Sequence, residues 1–162
     1  MRPPVLYISG PYSAGHGRTI AMNIAVARTY AVAARKRGWM PFTPHLNSAG
    51  FEVDCPDVGH ADWLAGDLAI LDLLDPAIDA VLMLPGWTES AGARQEFARA
   101  MAREIEIFTS VLSPECVPPA GGRGLCPYYR RVHYESDSRD TCGSPSMRCP
   151  AGKTCPIRGR YR

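Results

Sequence analysis

This 162-residue sequence predicts an α/β fold on a small parallel sheet, and three observations carry the prediction. Short apolar runs at 4–9, 39–43, 78–84 and 105–111 have the length and character of buried strands. The first three end on Gly-Pro, Pro or Pro-Gly, which are strong local breakers. Between the runs lie segments of helical composition or periodicity, at 19–37, 60–74 and 90–103. Strands alternating with helices imply right-handed crossovers and a sheet covered on both faces. The expected body is therefore a small doubly wound sheet, flavodoxin- or Rossmann-like.

Each element has its own signal. Val5 to Ser9, preceded by Pro4, is a strand closed by Gly10-Pro11. The Ala-rich helix 19–37 stops at Gly38, a residue suited to the left-handed position just past a helix end. Trp39 to Thr43 forms the second strand, halted by Pro44, and a loop rich in Gly, Pro and Asp extends to about residue 59. Leu64, Leu68 and Leu71 recur at i, i+4 and i+7 and mark the helix 60–74. Ile78 to Leu84 is the clearest strand and is broken by Pro85-Gly86. A helix from Ser90 to Arg103 and a fourth strand from Ile105 to Val111 complete the body. Ligands of such sheets sit beyond the carboxyl ends of the strands, which directs attention to the loops 10–18, 44–59 and 85–90.

Composition is ordinary for a globular chain, with 46% apolar and 21% charged residues and a formal net charge of +2. That balance gives no global signal for nucleic acid or membrane. The apolar stretch Leu64 to Leu84 is interrupted by Asp67, Asp72, Asp75 and Asp79 and is not a bilayer span. Val5 to Ile8 is too short for a signal-peptide core, so a cytoplasmic chain with reduced cysteines is expected. The charge is split, however. Residues 1–113 hold 9 basic and 12 acidic side chains, whereas 114–162 hold 9 and 4, together with 5 of the 6 cysteines, 7 Pro and 6 Gly. The reading is a body over 1–113 and a Cys-, Pro- and Gly-rich basic tail over 114–162.

Two carboxylates occupy apolar stripes. The helix after Pro85-Gly86 turns Ala93, Phe97, Ala100 and Met101 inward, and Glu96 falls within that stripe. Asp67 lies likewise among Leu64, Leu68 and Leu71. An inward carboxylate is costly unless paired or used; rim exposure of Glu96 and capping or pairing of Asp67 are the competing structural readings. Two carboxylates at one carbon centre suit glycosidic chemistry, in which one attacks the anomeric carbon and the other manages the leaving group's proton. The loop Gly10-Pro11-Tyr12-Ser13-Ala14-Gly15-His16-Gly17-Arg18 is either a cradle for a phosphate or sugar or a structural Gly-rich turn. Trp87, in the 85–90 loop, is a candidate for stacking on a base; Trp39 reads as core and Trp63 as core or pocket. His45 and His60 read as loop-bracing residues, and Asn23 as a brace for the first loop.

Tyr7-Ile8-Ser9-Gly10-Pro11-Tyr12, Asp67 and Ser90-Ala91-Gly92-Ala93-Arg94-Gln95-Glu96 together resemble the nucleoside 2-deoxyribosyltransferase superfamily, most of all its small DUF4406-type branch. The resemblance covers about residues 4–110. It implies that Glu96 is the nucleophile at C1′, that Asp67 contacts or protonates the base and that Tyr7 orients Glu96. It further implies that Tyr12 lies against the base, that the loop with Gly10, Pro11, Ser13, Gly15 and Arg18 holds the sugar or its 5′ substituent, and that Ser90 and Gly92 belong to the substrate site. Ser90 stands where transferases of free nucleosides usually carry Asp. The Ser form resembles the nucleoside 5′-monophosphate N-glycosidases, which with Arg18 favours a monophosphate and hydrolysis. The resemblance also implies a homodimer or larger oligomer and no catalytic cofactor.

The tail admits a structural zinc on Cys126, Cys142, Cys149 and Cys155, although its spacings contain no C-x2-C pair. The alternative is a flexible basic extension. Weak nucleic-acid contact through Tyr128, Tyr129, Arg130 and Arg131 is compatible with the charge but not favoured. Two other functional classes remain open at this point: a non-catalytic nucleotide sensor whose tail meets a partner, and an NAD glycohydrolase using the same carboxylates.

Overall fold

The computed structural model describes residues 2–15, 17–109 and 113–121. The expected alternation is present. Strand β1 (Val5–Ser9) is followed by helix α1 (Ile20–Lys36), β2 (Met40–Phe42), two four-residue helices α2 (Pro44–Asn47) and α3 (Phe51–Asp54), and α4 (His60–Leu71). Then come β3 (Ala80–Met83), a 3-10 turn (Trp87–Glu89), α5 (Ala91–Ala102), β4 (Glu106–Phe108) and a second 3-10 turn (Pro114–Cys116). The four strands lie in the order β2-β1-β3-β4, all parallel, with Tyr7 opposite Phe42 on one side and Val81 on the other. This is the doubly wound arrangement the sequence predicts. The strand order reverses between β1 and β3, so the crevice for a ligand opens beyond Ser9 and Met83.

Strand alternation divides the core into two layers. Leu6, Ile8, Leu82 and Leu84 pack with Ala27, Tyr30, Ala31 and Ala34 of α1. Tyr7, Val81 and Met83 pack on the opposite face with Leu71, Ala93 and Ala100. Because side chains alternate with a period of two, Ser9 shares the face of Tyr7. α1 begins where the Thr19 hydroxyl accepts from the Met22 amide and ends at Gly38, whose φ of 91° is the left-handed conformation expected there.

Three differences from the sequence reading have local causes. The 44–59 segment, read as a loop, contains α2 and α3, each too short to show a helical period. α4 ends at Leu71 rather than 74, and the chain then turns towards Asp79, whose buried carboxylate accepts from the Val5 and Asp75 amides and pairs with Arg2. Packing against the body also continues beyond residue 113. Val117 is fully buried, the Trp39 indole donates to the Pro118 carbonyl at 2.7 Å, and the Ala120 amide donates to the Arg37 carbonyl. The zinc reading of Cys126, Cys142, Cys149 and Cys155 and the remainder of the tail fall outside the described residues. No helix among those described is long and apolar enough to cross a membrane.

Candidate active site

The loop beyond the carboxyl end of β1, residues 90–96 at the start of α5 and the 44–67 segment surround a cavity of about 260 Å³. Its floor is Glu96, whose side chain is part of a residue only 5% exposed. The rim reading of Glu96 is thereby excluded. β1 supplies its partners: the Tyr7 hydroxyl donates to Oε1 and the Ser9 hydroxyl to Oε2, each at 2.5 Å. Two residues apart on one strand, these hydroxyls reach the same carboxylate because the strand returns to the same face every second residue.

Burial dominates the ionisation of Glu96 and pushes it up to about 7, with Asp67 adding to the rise and the two hydroxyls opposing it. The helix dipole contributes little to this balance. Glu96 is the sixth residue of α5, and the dipole's effect is concentrated in the first turn. Asp67 on α4 lines the same cavity and is pushed up to about 6, mainly by burial, with His60 acting in the opposite sense. Among the described residues no donor reaches the Asp67 carboxylate, whereas both oxygens of Glu96 already accept one. Both carboxyls are therefore raised, and only on Glu96 do hydroxyl donors counter the rise. Tyr7, its own ionisation strongly suppressed by burial beside Glu96, remains a donor, and its oxygen lies 3.4 Å from the Asp67 carbonyl.

Gly10, Tyr12, Ser13, Ser90 and Gly92 line the cavity with the two carboxylates. A Cβ on Gly10 would lie 2.7 Å from Leu84 Cβ, so the close approach of β1's end to β3 requires glycine. Ser90 caps α5, its hydroxyl accepting from the Ala93 amide at 3.3 Å. Asn23 on α1 holds the first loop by donating to the carbonyls of Tyr12 and Ser13.

Other expected site residues lie elsewhere. Trp87 does not line the cavity but stacks on Phe97 with ring centroids 4.6 Å apart. The 3-10 turn that carries it folds it onto α5. Pro11, Gly15 and Arg18 also stand outside the lining. The Pro11 carbonyl pairs with His45 Nε2 at 2.8 Å, and Gly15 and Arg18 close a small backbone bridge between themselves. Conversely, the cavity gains His45, Ser48, Glu52, Val58, His60 and Trp63 from the segment preceding and opening α4. Ser9 had a usable signal, as a polar residue two positions after Tyr7 in an apolar strand. The 44–59 loop was singled out by its place beyond the strand ends and Trp63 as core or pocket, but which other residues of 44–63 face the cavity depends on a crossover connection.

Residues 4–109 match the model of a domain of unknown function, DUF4406. No curated protein matches the chain.

Proposed function

The chain belongs to the DUF4406 family, whose description states no activity, and from its site we propose that it cleaves or transfers the N-glycosidic bond of a nucleoside-type substrate. The observation that supports this most is the buried Glu96 carboxylate, with one hydroxyl donor on each oxygen and Asp67 in the same cavity. A carboxylate with only structural work has no need of open space beside it. Here the space is bounded by Gly10 and Gly92, which lack side chains. The residue pattern shared with the nucleoside 2-deoxyribosyltransferase superfamily supports the same reading.

In the proposed reaction a Glu96 oxygen attacks C1′ and forms a glycosyl ester as the C1′–N bond breaks. The electron pair of that bond leaves with the base, and Asp67 donates the proton that neutralises it. Tyr7 and Ser9 hold the carboxylate in position and compensate its charge before attack. Water or a second base then attacks C1′, giving up a proton to Asp67, and Glu96 departs as carboxylate. Tyr12 and Trp63, both lining the cavity, offer aromatic surface for a base.

The test is a chromatographic screen for free base released from nucleosides and their 5′-monophosphates, with and without an acceptor base. Wild type is expected to release base, and Glu96→Ala to lose at least about 10³-fold in rate. Dependence on acceptor separates transfer from hydrolysis. Absence of release from every substrate would overturn the glycosidic reading.

A further inference from the structure

We propose that the cavity wall formed by Tyr12, His45 and Glu52 receives hydroxyl or amine donors of the substrate and excludes phosphate, so that the substrates are unphosphorylated nucleosides. This rests on the N-glycosidic reading and narrows it, in the direction opposite to the one Ser90 and Arg18 suggested.

The first support is hydrogen-bond polarity. The Tyr12 hydroxyl donates to Glu52 Oε1 at 2.8 Å and is thereby occupied as a donor. His45 is 4% exposed and lines the cavity. Its Nε2 is 2.8 Å from the Pro11 carbonyl, an acceptor only, so Nε2 carries the proton. Burial lowers the ionisation of the ring and keeps it neutral. Nδ1 is therefore an acceptor, and it has no partner in the structure. Nδ1 is thus a buried, unpartnered acceptor within a residue that lines the cavity. The imidazole nitrogen and the Glu52 carboxylate both call for donors. A sugar hydroxyl or exocyclic amine provides a donor, whereas a phosphate dianion provides acceptors alone.

The second support is charge. Glu52, Asp67 and Glu96 all line the cavity, and among the described residues no lysine or arginine does. The Glu52 carboxyl is held below the ordinary range by backbone amides and the Tyr12 hydroxyl, so it is ionised at neutral pH. His60 is the remaining titratable side chain on the wall. Opposing these is the N-terminus of α5 at Ser90, equivalent to roughly half a positive charge. That is too little to offset a carboxylate fixed at the same cavity, and the Ser90 oxygen already serves as the helix cap. Arg18, the cation expected to meet a 5′-phosphate, lies outside the lining.

Glu52 is exposed, so its substitution spares the core. Calorimetric titration of the full chain carrying Glu96→Ala, which stops turnover, would compare the common nucleosides with their matched 5′-monophosphates at low salt. The nucleosides are expected to bind about tenfold or more tightly than their monophosphates. Adding Glu52→Gln should shrink that ratio about fivefold, and Glu52→Lys should remove or invert it. Monophosphates binding as tightly as nucleosides, a ratio indifferent to both Glu52 variants, or no binding of either class would overturn the proposal. Release of base from monophosphates alone by wild type would overturn it while sustaining the glycosidic reading. Discrimination in binding with no base release would do the reverse.

Discussion

Burying Glu96 disfavours its charge, and the Tyr7 and Ser9 hydroxyls offset part of that penalty while fixing where the carboxylate points. Removing either hydroxyl should therefore harm turnover more than binding. Tyr7→Phe or Ser9→Ala is expected to lower kcat about 10- to 100-fold with little change in KM. The double variant should lose less than the product of the two, because both act through one carboxylate. An equal rise in KM would assign them to binding instead. The same burial gives a pH signature in stability. Glu96 binds its proton up to about pH 7 in the folded chain against an ordinary 4.5, so between those values the folded state holds a proton that the unfolded chain has released. Its contribution to stability is complete below about 4.5 and is lost as pH rises through about 7. Glu96→Gln, which cannot ionise, should gain stability over wild type from pH 5 to pH 8, by at most about 3 kcal/mol. Urea midpoints at the two pH values would show it, and a constant offset would contradict it.

At the scale of the element, β1 does most of the positioning. Its even and odd residues serve different layers: Leu6 and Ile8 seal the α1 side, while Tyr7 and Ser9 face α5. The strand then ends at Gly10, packed so closely on Leu84 that a methyl group has no room. Gly10→Ala is expected to cost about 1–3 kcal/mol by overpacking, seen as a lower urea midpoint. An unchanged midpoint would mean that the first loop shifts freely. The inward placement of Glu96 and Asp67 was legible, because each interrupts an apolar stripe of known period. The partners of Glu96 were half legible: Tyr7 through the family resemblance, Ser9 through a signal the sequence reading did not use, its place two residues on in the same strand. α2 and α3 were not legible, since four residues cannot display a 3.6-residue pattern. Yet the segment containing them brings His45, Ser48 and Glu52 to the cavity.

At the scale of the whole molecule, the segment after β4 belongs mechanically to the body as far as it is described. Val117 is fully buried in the α1 layer, and Pro118 receives the Trp39 indole hydrogen bond. Val117→Ala should lower stability by about 1–3 kcal/mol with base release per folded molecule unchanged, because that layer lies across the sheet from Glu96. Loss of activity beyond the unfolded fraction would instead link the two layers. The sequence by itself determined the α/β alternation, the parallel sheet and the two carboxylates on inward stripes. Those features are written in local periodicity and in the breakers that close each run. Tertiary structure alone decided the strand order, the packing of residues 114–121 onto the body, and the membership of the cavity wall. It brought Ser9, His45 and Glu52 to the site and left Trp87 and Arg18 away from it. Such choices depend on where crossover connections land after the sheet has formed, and no pattern within a few consecutive residues encodes that.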